Sequence, residues 1–166
     1  MGVVPFSFVS DLSSHKLLRG AAAGLMATAP MSSSMLIGWR LLPETETYHS
    51  PPRLVTEKIV QRLGLKNRNP EQGLIGLSIF SHFVYGAVFG AFYTLFEHRI
   101  SMRSRLKGGV AGLALWTGSY LGWLPAMGIL PPATRHPWRR NLLMIIAHVI
   151  WGVTLSETLR KLDAEK

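Results

Sequence analysis

The chain has 166 residues, enough for one domain, and is 48% hydrophobic but only 16% charged, where soluble domains carry about 25% charged residues. Its apolar residues are gathered into long runs instead of amphipathic stripes, which points to a polytopic membrane protein. The absence of Cys excludes disulfides, thiolate metal sites, iron–sulfur ligation and cysteine nucleophiles.

Residues 1–16 form a short apolar leader in which Phe6, Phe8 and Val9 suit a membrane surface, and Asp11, Ser13 or Ser14 is expected to cap the following helix. Leu17 to Leu42 is the first membrane-length segment, interrupted by Pro30, where a kink is expected. Ser32, Ser33 and Ser34 stand ready to bond the carbonyls such a kink frees. Trp39 and Arg40 mark its exit at head-group level. A signal peptide with Ala27-Thr28-Ala29 as its cleavage site is the competing reading, but its positive residues come late.

Pro43 to Gln72 is polar, yet Ser50-Pro51-Pro52 is a helix start and Gly64 a stop. Leu54, Val55, Ile59 and Leu63 share one stripe, so an amphipathic helix is expected over 52–63. It lies either in the membrane interface or against the protein's own extramembrane face.

Leu74 to Phe96 contains no Asp, Glu, Lys or Arg, and its length suffices to cross a bilayer core. His82 stands near its middle. The third segment, Leu106 to Leu130, has Trp116, Tyr120 and Trp123 on an aromatic face and Pro125 bending its end. The fourth, Asn141 to Leu159, carries His148 and, near its end, Glu157.

The same order occurs twice. Arg/Lys-Gly-x-x-Ala-Gly-Leu opens the first and third segments at 19–25 and 107–113, and His-x-x-aromatic-Gly recurs at 82–86 and 148–152. The expected fold is therefore all-α and integral to the membrane: four transmembrane helices as a two-fold parallel repeat of helix pairs, 17–99 and 105–162. Gly20/Gly24, Gly86/Gly90, Gly108/Gly112 and Gly118/Gly122 are each four apart, and Gly152 follows His148 by four. That spacing aligns small residues and lets helix backbones approach closely. Ser78, His82, Gly86 and Gly90 form one stripe, and Met144, His148, Gly152 and Ser156 another, so both His residues are expected to face protein.

Four spans place both termini on one side. Lys and Arg then divide nine to nine between the two sides. The dense basic link over 99–107 tips the balance, because short loops weigh most, and puts both termini in the cytoplasm. The net charge of +9 suits anionic lipid head groups, and no basic helix or aromatic–basic module points to nucleic acid.

Lys107-Gly108, Pro131-Pro132, His136-Pro137-Trp138, His148-Val149-Ile150-Trp151 and Glu157 to Arg160 resemble the pattern of the YagU-like family of small bacterial inner-membrane proteins. The first half looks like related small membrane proteins with Gly-x-x-Ala-Gly followed by His-x-x-Tyr-Gly. The resemblance implies an integral protein of the bacterial inner membrane and brings no reaction or certified site.

His82 and His148 are the candidate chemistry. Facing each other, two imidazoles can ligate one haem, or each can hold a chlorophyll-type pigment or metal, though no other ligand-rich cluster supports a metal site. The competing reading is plain interhelical hydrogen bonding. Tyr85, Trp116, Tyr120, Trp123 and Trp151 suit a quinone or pigment pocket, or ordinary packing. Glu157 is either a carboxylate on a polar path or an interfacial partner of Arg160. No hydrolase triad, P-loop, dinucleotide fingerprint or paired carboxylates occur. The leading expectation is thus a non-enzymatic structural or accessory subunit without cofactor, packing with itself as a homo-oligomer or with a larger membrane complex. A haem-, pigment- or quinone-binding subunit and a small oligomeric transporter are the alternatives.

Overall fold

The computed structural model describes residues 6–46, 49–64 and 71–164. Lys66, Arg68 and Lys166, three of the cations that set the orientation, lie outside these residues, as do the side chains of Phe6, Phe8, Val9, Asp11 and Ser13. Among the described residues there are helices and turns and no strand.

Helix α1 runs from Phe6 to Trp39. The start expected at Asp11, Ser13 or Ser14 is overtaken. No Pro or Gly separates Phe6 from Leu18, so the helix begins earlier and passes straight through residues that would have capped a later start. It also continues through Pro30. Ser33 Oγ donates to the Ala29 carbonyl at 3.1 Å and Ser34 Oγ to Met31 at 2.7 Å. Both bond carbonyls near Pro30, but not that of Met26, the one whose helical partner the missing N–H removes.

Helix α2, Pro51–Arg62, has Ser50 at its N-cap and Pro in its first turn, and Gly64 just beyond it takes φ +65°. It lies against the protein. Thr56 is buried and its hydroxyl meets Ser81 Oγ of helix α3 at 3.1 Å. Arg53 bridges Glu57 and Glu71, and Arg62 donates to the Met127 carbonyl at 2.6 Å.

Helix α3 spans Glu71–Phe96 and closes in a 3-10 turn over Glu97–Arg99. The expected third segment is not one regular helix. Helix α4 covers Ser104–Thr117, then the chain widens into π-type turns over Gly118–Trp123 before the short α5, Leu124–Ala126. Gly122 leaves helical geometry, at φ −107° and ψ −107°. The cause is local. Pro125 has no N–H for the Leu121 carbonyl and its ring crowds that carbonyl, which displaces the preceding turn. Glycines at 118 and 122 let the backbone absorb the distortion, and no atom lies within 4 Å of where their Cβ would stand. They are therefore not the packing face that their spacing suggested. Helix α6 runs from Trp138 to Ala164.

Polar contacts at the ends fix the arrangement. Arg19 pairs with Asp163 at 2.7 Å, Lys107 donates to the Glu97 carbonyl at 2.9 Å, and Ser104 to the Ser156 carbonyl at 3.1 Å. The Arg19 turn of α1, the end of α3, the start of α4 and the last turns of α6 thus share one end. Arg139 and Glu46 pair at 3.0 Å at the other. The four long elements alternate in direction.

Close backbone contact joins them in pairs. A Cβ on Gly24 would overlap the carbonyl of Gly86, and one on Gly90 the carbonyl of Gly20. Across α4 and α6, a Cβ on Gly108 would strike the carbonyl of Gly152, and one on Gly112 that of His148. The buried core sits between the pairs, with Met31, Met144, Trp151 and Leu155 near its centre. The outer faces are apolar: Ile79, Phe80 and Phe92 on α3 are more than half exposed. By length and composition, Glu71–Arg99 and Trp138–Ala164 can each cross a membrane.

Candidate ligand cavity

Between the two pairs lies a cavity of about 430 Å³, walled by α1, α2, α3, the α4–α5 segment and α6. Methionines 31 and 35 of α1, Leu77 of α3 and Leu115 of α4 supply apolar wall. Val55 and Ile59 of α2 and Leu63 just beyond it line one side, and the exposure of Ile59 and Leu63 shows that the cavity opens there.

Both histidines line this space. Their depth follows from one bond. Trp151 Nε1 donates to the Gly24 carbonyl at 3.2 Å, and Gly24 packs on Gly86, so Trp151 and Gly86 stand at nearly one level. His82 is four residues before Gly86 and His148 three before Trp151, on helices running the same way. At 1.5 Å rise per residue they lie about 6 Å and about 4.5 Å below that level, that is, at nearly the same depth and toward α2.

The two rings are not equivalent. Nδ1 of His148 is 2.7 Å from the Met144 carbonyl. A carbonyl only accepts, so Nδ1 carries the hydrogen and Nε2 presents a lone pair. Tyr120 packs its ring edge-to-face on His148 at 5.9 Å and donates its hydroxyl to Met144 Sδ. His82 has no such tether: its Nε2 is buried without a hydrogen-bond partner among the described residues.

Tyr85, Tyr120, Trp123 and Trp151, four of the five expected aromatics, line the cavity. Trp116 stacks on Tyr120 outside the lining. Glu157 also stands apart, at the end of α6, with Arg160 at 2.9 Å and Arg105 at 3.6 Å. Thr28, Thr56, Ser81 and Ser119 complete the lining. Sequence reasoning passed over them. Isolated hydroxyls in apolar helices were the available signal, but Thr28 and Ser119 sit on different segments and only the assembled fold brings them together. Among the described residues no three His, Asp or Glu side chains gather as metal ligands do.

No curated protein and no solved structure matches the chain. A family model described as a protein of unknown function, DUF1440, matches residues 31–157. That range takes in both histidines and, apart from Thr28, every polar residue of the lining. The chain is a member of the DUF1440 family, whose function is unknown.

Proposed function

We propose that the protein is a four-span, non-enzymatic membrane protein that holds a lipophilic small molecule in the His82/His148 cavity, acting as an accessory subunit of the bacterial inner membrane. The carrying observation is the cavity itself: about 430 Å³ of mainly apolar space lined by a buried imidazole, His148, and a half-buried one, His82, at one depth. Ligand sites typically measure about 300–1,000 Å³, with an apolar lining and a few convergent polar groups.

Four spans are supported beyond α3 and α6. Gly20 to Trp39 of α1 is free of charge; its small residues lower its hydropathy and are the ones that pack on α3. As uninterrupted α-helix, Ser104 to Ala126 would reach about 34 Å at 1.5 Å per residue, and the π-type turns shorten this only slightly, so it is close to the thickness of the core. A two-fold repeat is supported by the like pairing of α1 with α3 and of α4 with α6. The cations near the shared end, Arg103, Arg105, Lys107 and Arg160 among them, favour its facing the cytoplasm.

Native mass spectrometry of the detergent-purified protein tests the reading. A lipophilic adduct near one per chain is expected, lost when Val55→Trp or Leu77→Trp fills the cavity from its open side. A ligand-free protein whose thermal stability Val55→Trp leaves unchanged would refute it. The free Nε2 of His148 favours a second reading, a tetrapyrrole bound through that nitrogen. This requires a Soret band that His148→Ala abolishes.

A further inference from the structure

The hydrogen bonds inside the cavity specify the polar group of its occupant, an inference that rests on the ligand-binding reading above. The hydroxyls of Thr56 and Ser81 carry two hydrogens between them and have three bonds to serve: the Pro52 carbonyl at 2.8 Å, the Ser78 carbonyl at 3.0 Å and each other at 3.1 Å. They have none to spare. Trp151 N–H is committed to Gly24, and Tyr120 O–H to Met144 Sδ.

Tyr85 and Ser119 differ. Their hydroxyls are 2.8 Å apart and neither has another acceptor among the described residues. One hydrogen lies between them, so the other is free to donate. His148 Nε2, with Nδ1–H held by Met144, can only accept. Trp123 N–H is taken up by the Tyr85 hydroxyl oxygen, so the cavity offers one unmet donor and one unmet acceptor, besides the unpartnered Nε2 of His82. A carbonyl takes the donor but leaves the His148 lone pair, which faces the cavity, without a donor. A hydroxyl serves both. The rings of Tyr85, Tyr120, Trp123 and Trp151 around these groups suit a flat aromatic body.

We infer that the occupant is a lipophilic phenol or quinol, its O–H donating to Nε2 of His148 and its oxygen accepting the spare hydrogen of the Tyr85–Ser119 pair. No bond is made or broken in this binding step.

The test compares a long-chain 4-alkylphenol with its methyl ether, which differs by the single hydrogen in question. Binding to the detergent-purified full chain is followed by quenching of Trp fluorescence and corrected for partition into protein-free micelles. A site built around a hydroxyl discriminates strongly against the analogue lacking it. The phenol is expected to bind at least about tenfold more tightly than the ether, the order of one unmet buried polar group. His148→Phe, checked for retained helix content by circular dichroism, should reduce that preference to a few-fold, whereas Ser119→Ala, which leaves the Tyr85 hydroxyl free to donate to either oxygen, should keep it. Equal affinity of phenol and ether for the unaltered protein overturns this inference while leaving a lipophilic site standing. Binding of neither probe overturns the site as well. The comparison needs no variant, so a misfolded His148→Phe does not weaken it.

Discussion

Gly112→Ala tests how α4 and α6 are held. The added methyl would meet the carbonyl oxygen of His148, its carbonyl carbon at 2.8 Å and the amide nitrogen of Val149 at 3.3 Å. All three are backbone atoms, so no rotamer change relieves the contact and the helices must part by roughly an ångström. A gap of that order forfeits about a quarter to a half of the dispersion energy of the affected contacts, and overpacking costs about 1–3 kcal/mol. Replacing Gly in a helix returns up to about 1 kcal/mol of intrinsic propensity. Gly109→Ala supplies the control three residues away. Its methyl would meet only Val153 Cγ2 at 3.8 Å and Val149 Cγ1 at 3.9 Å, ordinary contact distances. Both variants share the propensity gain, so their difference isolates the backbone clash: Gly112→Ala should be less stable than Gly109→Ala by about 1–3 kcal/mol. Equilibrium unfolding in mixed micelles of increasing SDS fraction, followed by circular dichroism, measures it. Equal midpoints would show that α4 does not press on α6 at His148.

Three further outcomes are expected. Trp151→Phe removes the N–H that joins α6 to the Gly24 carbonyl and should lower stability by about 0.6 kcal/mol, the average for hydrogen bonds between membrane helices, in the same titration. Asp163→Asn breaks the pair with Arg19, but Asp163 is 60% exposed, so the loss should stay below about 1 kcal/mol and fade with added salt. His136, in the link before α6, is held below its ordinary pKa by burial first and by Arg140 second, while its bond to the Pro131 carbonyl acts the other way. With a depressed folded-state value, stability is full above pH 6.5 and falls as pH drops below it, because the unfolded chain takes up the proton more readily. Unfolding midpoints measured from pH 7.5 down to 5.5 should therefore decline, and less steeply in His136→Gln.

Much of the fold was legible because its signals are local. The charge-free run from Leu74 to Phe96 and the Pro and Gly flanking α2 placed those helices within a few residues of where they stand. What escaped depends on competition or assembly. Asp11, Ser13 and Ser14 carry a capping signal, but nothing upstream stops the helix from running through it. The hydrophobic run from Leu106 to Leu130 cannot reveal that Pro125 and Gly122 break it into π-type turns. The histidines could be paired by their recurring His-x-x-aromatic-Gly context. The cavity they line could not be foreseen, since one wall is α2, separated from His148 by more than eighty residues.

The carbonyl of Gly24 receives Trp151 N–H from one side and Thr28 Oγ1 from another, while Gly86 of α3 presses against the same residue. Three helices thus converge at a single peptide, and both of the side chains that donate to it also line the cavity. Joint and vessel wall are the same atoms. Tightening or loosening the bundle at this point must reshape the space inside, and an occupant pressing on Trp151 or Thr28 must in turn strain or relieve the joint, so selection at this point cannot adjust rigidity and contents separately.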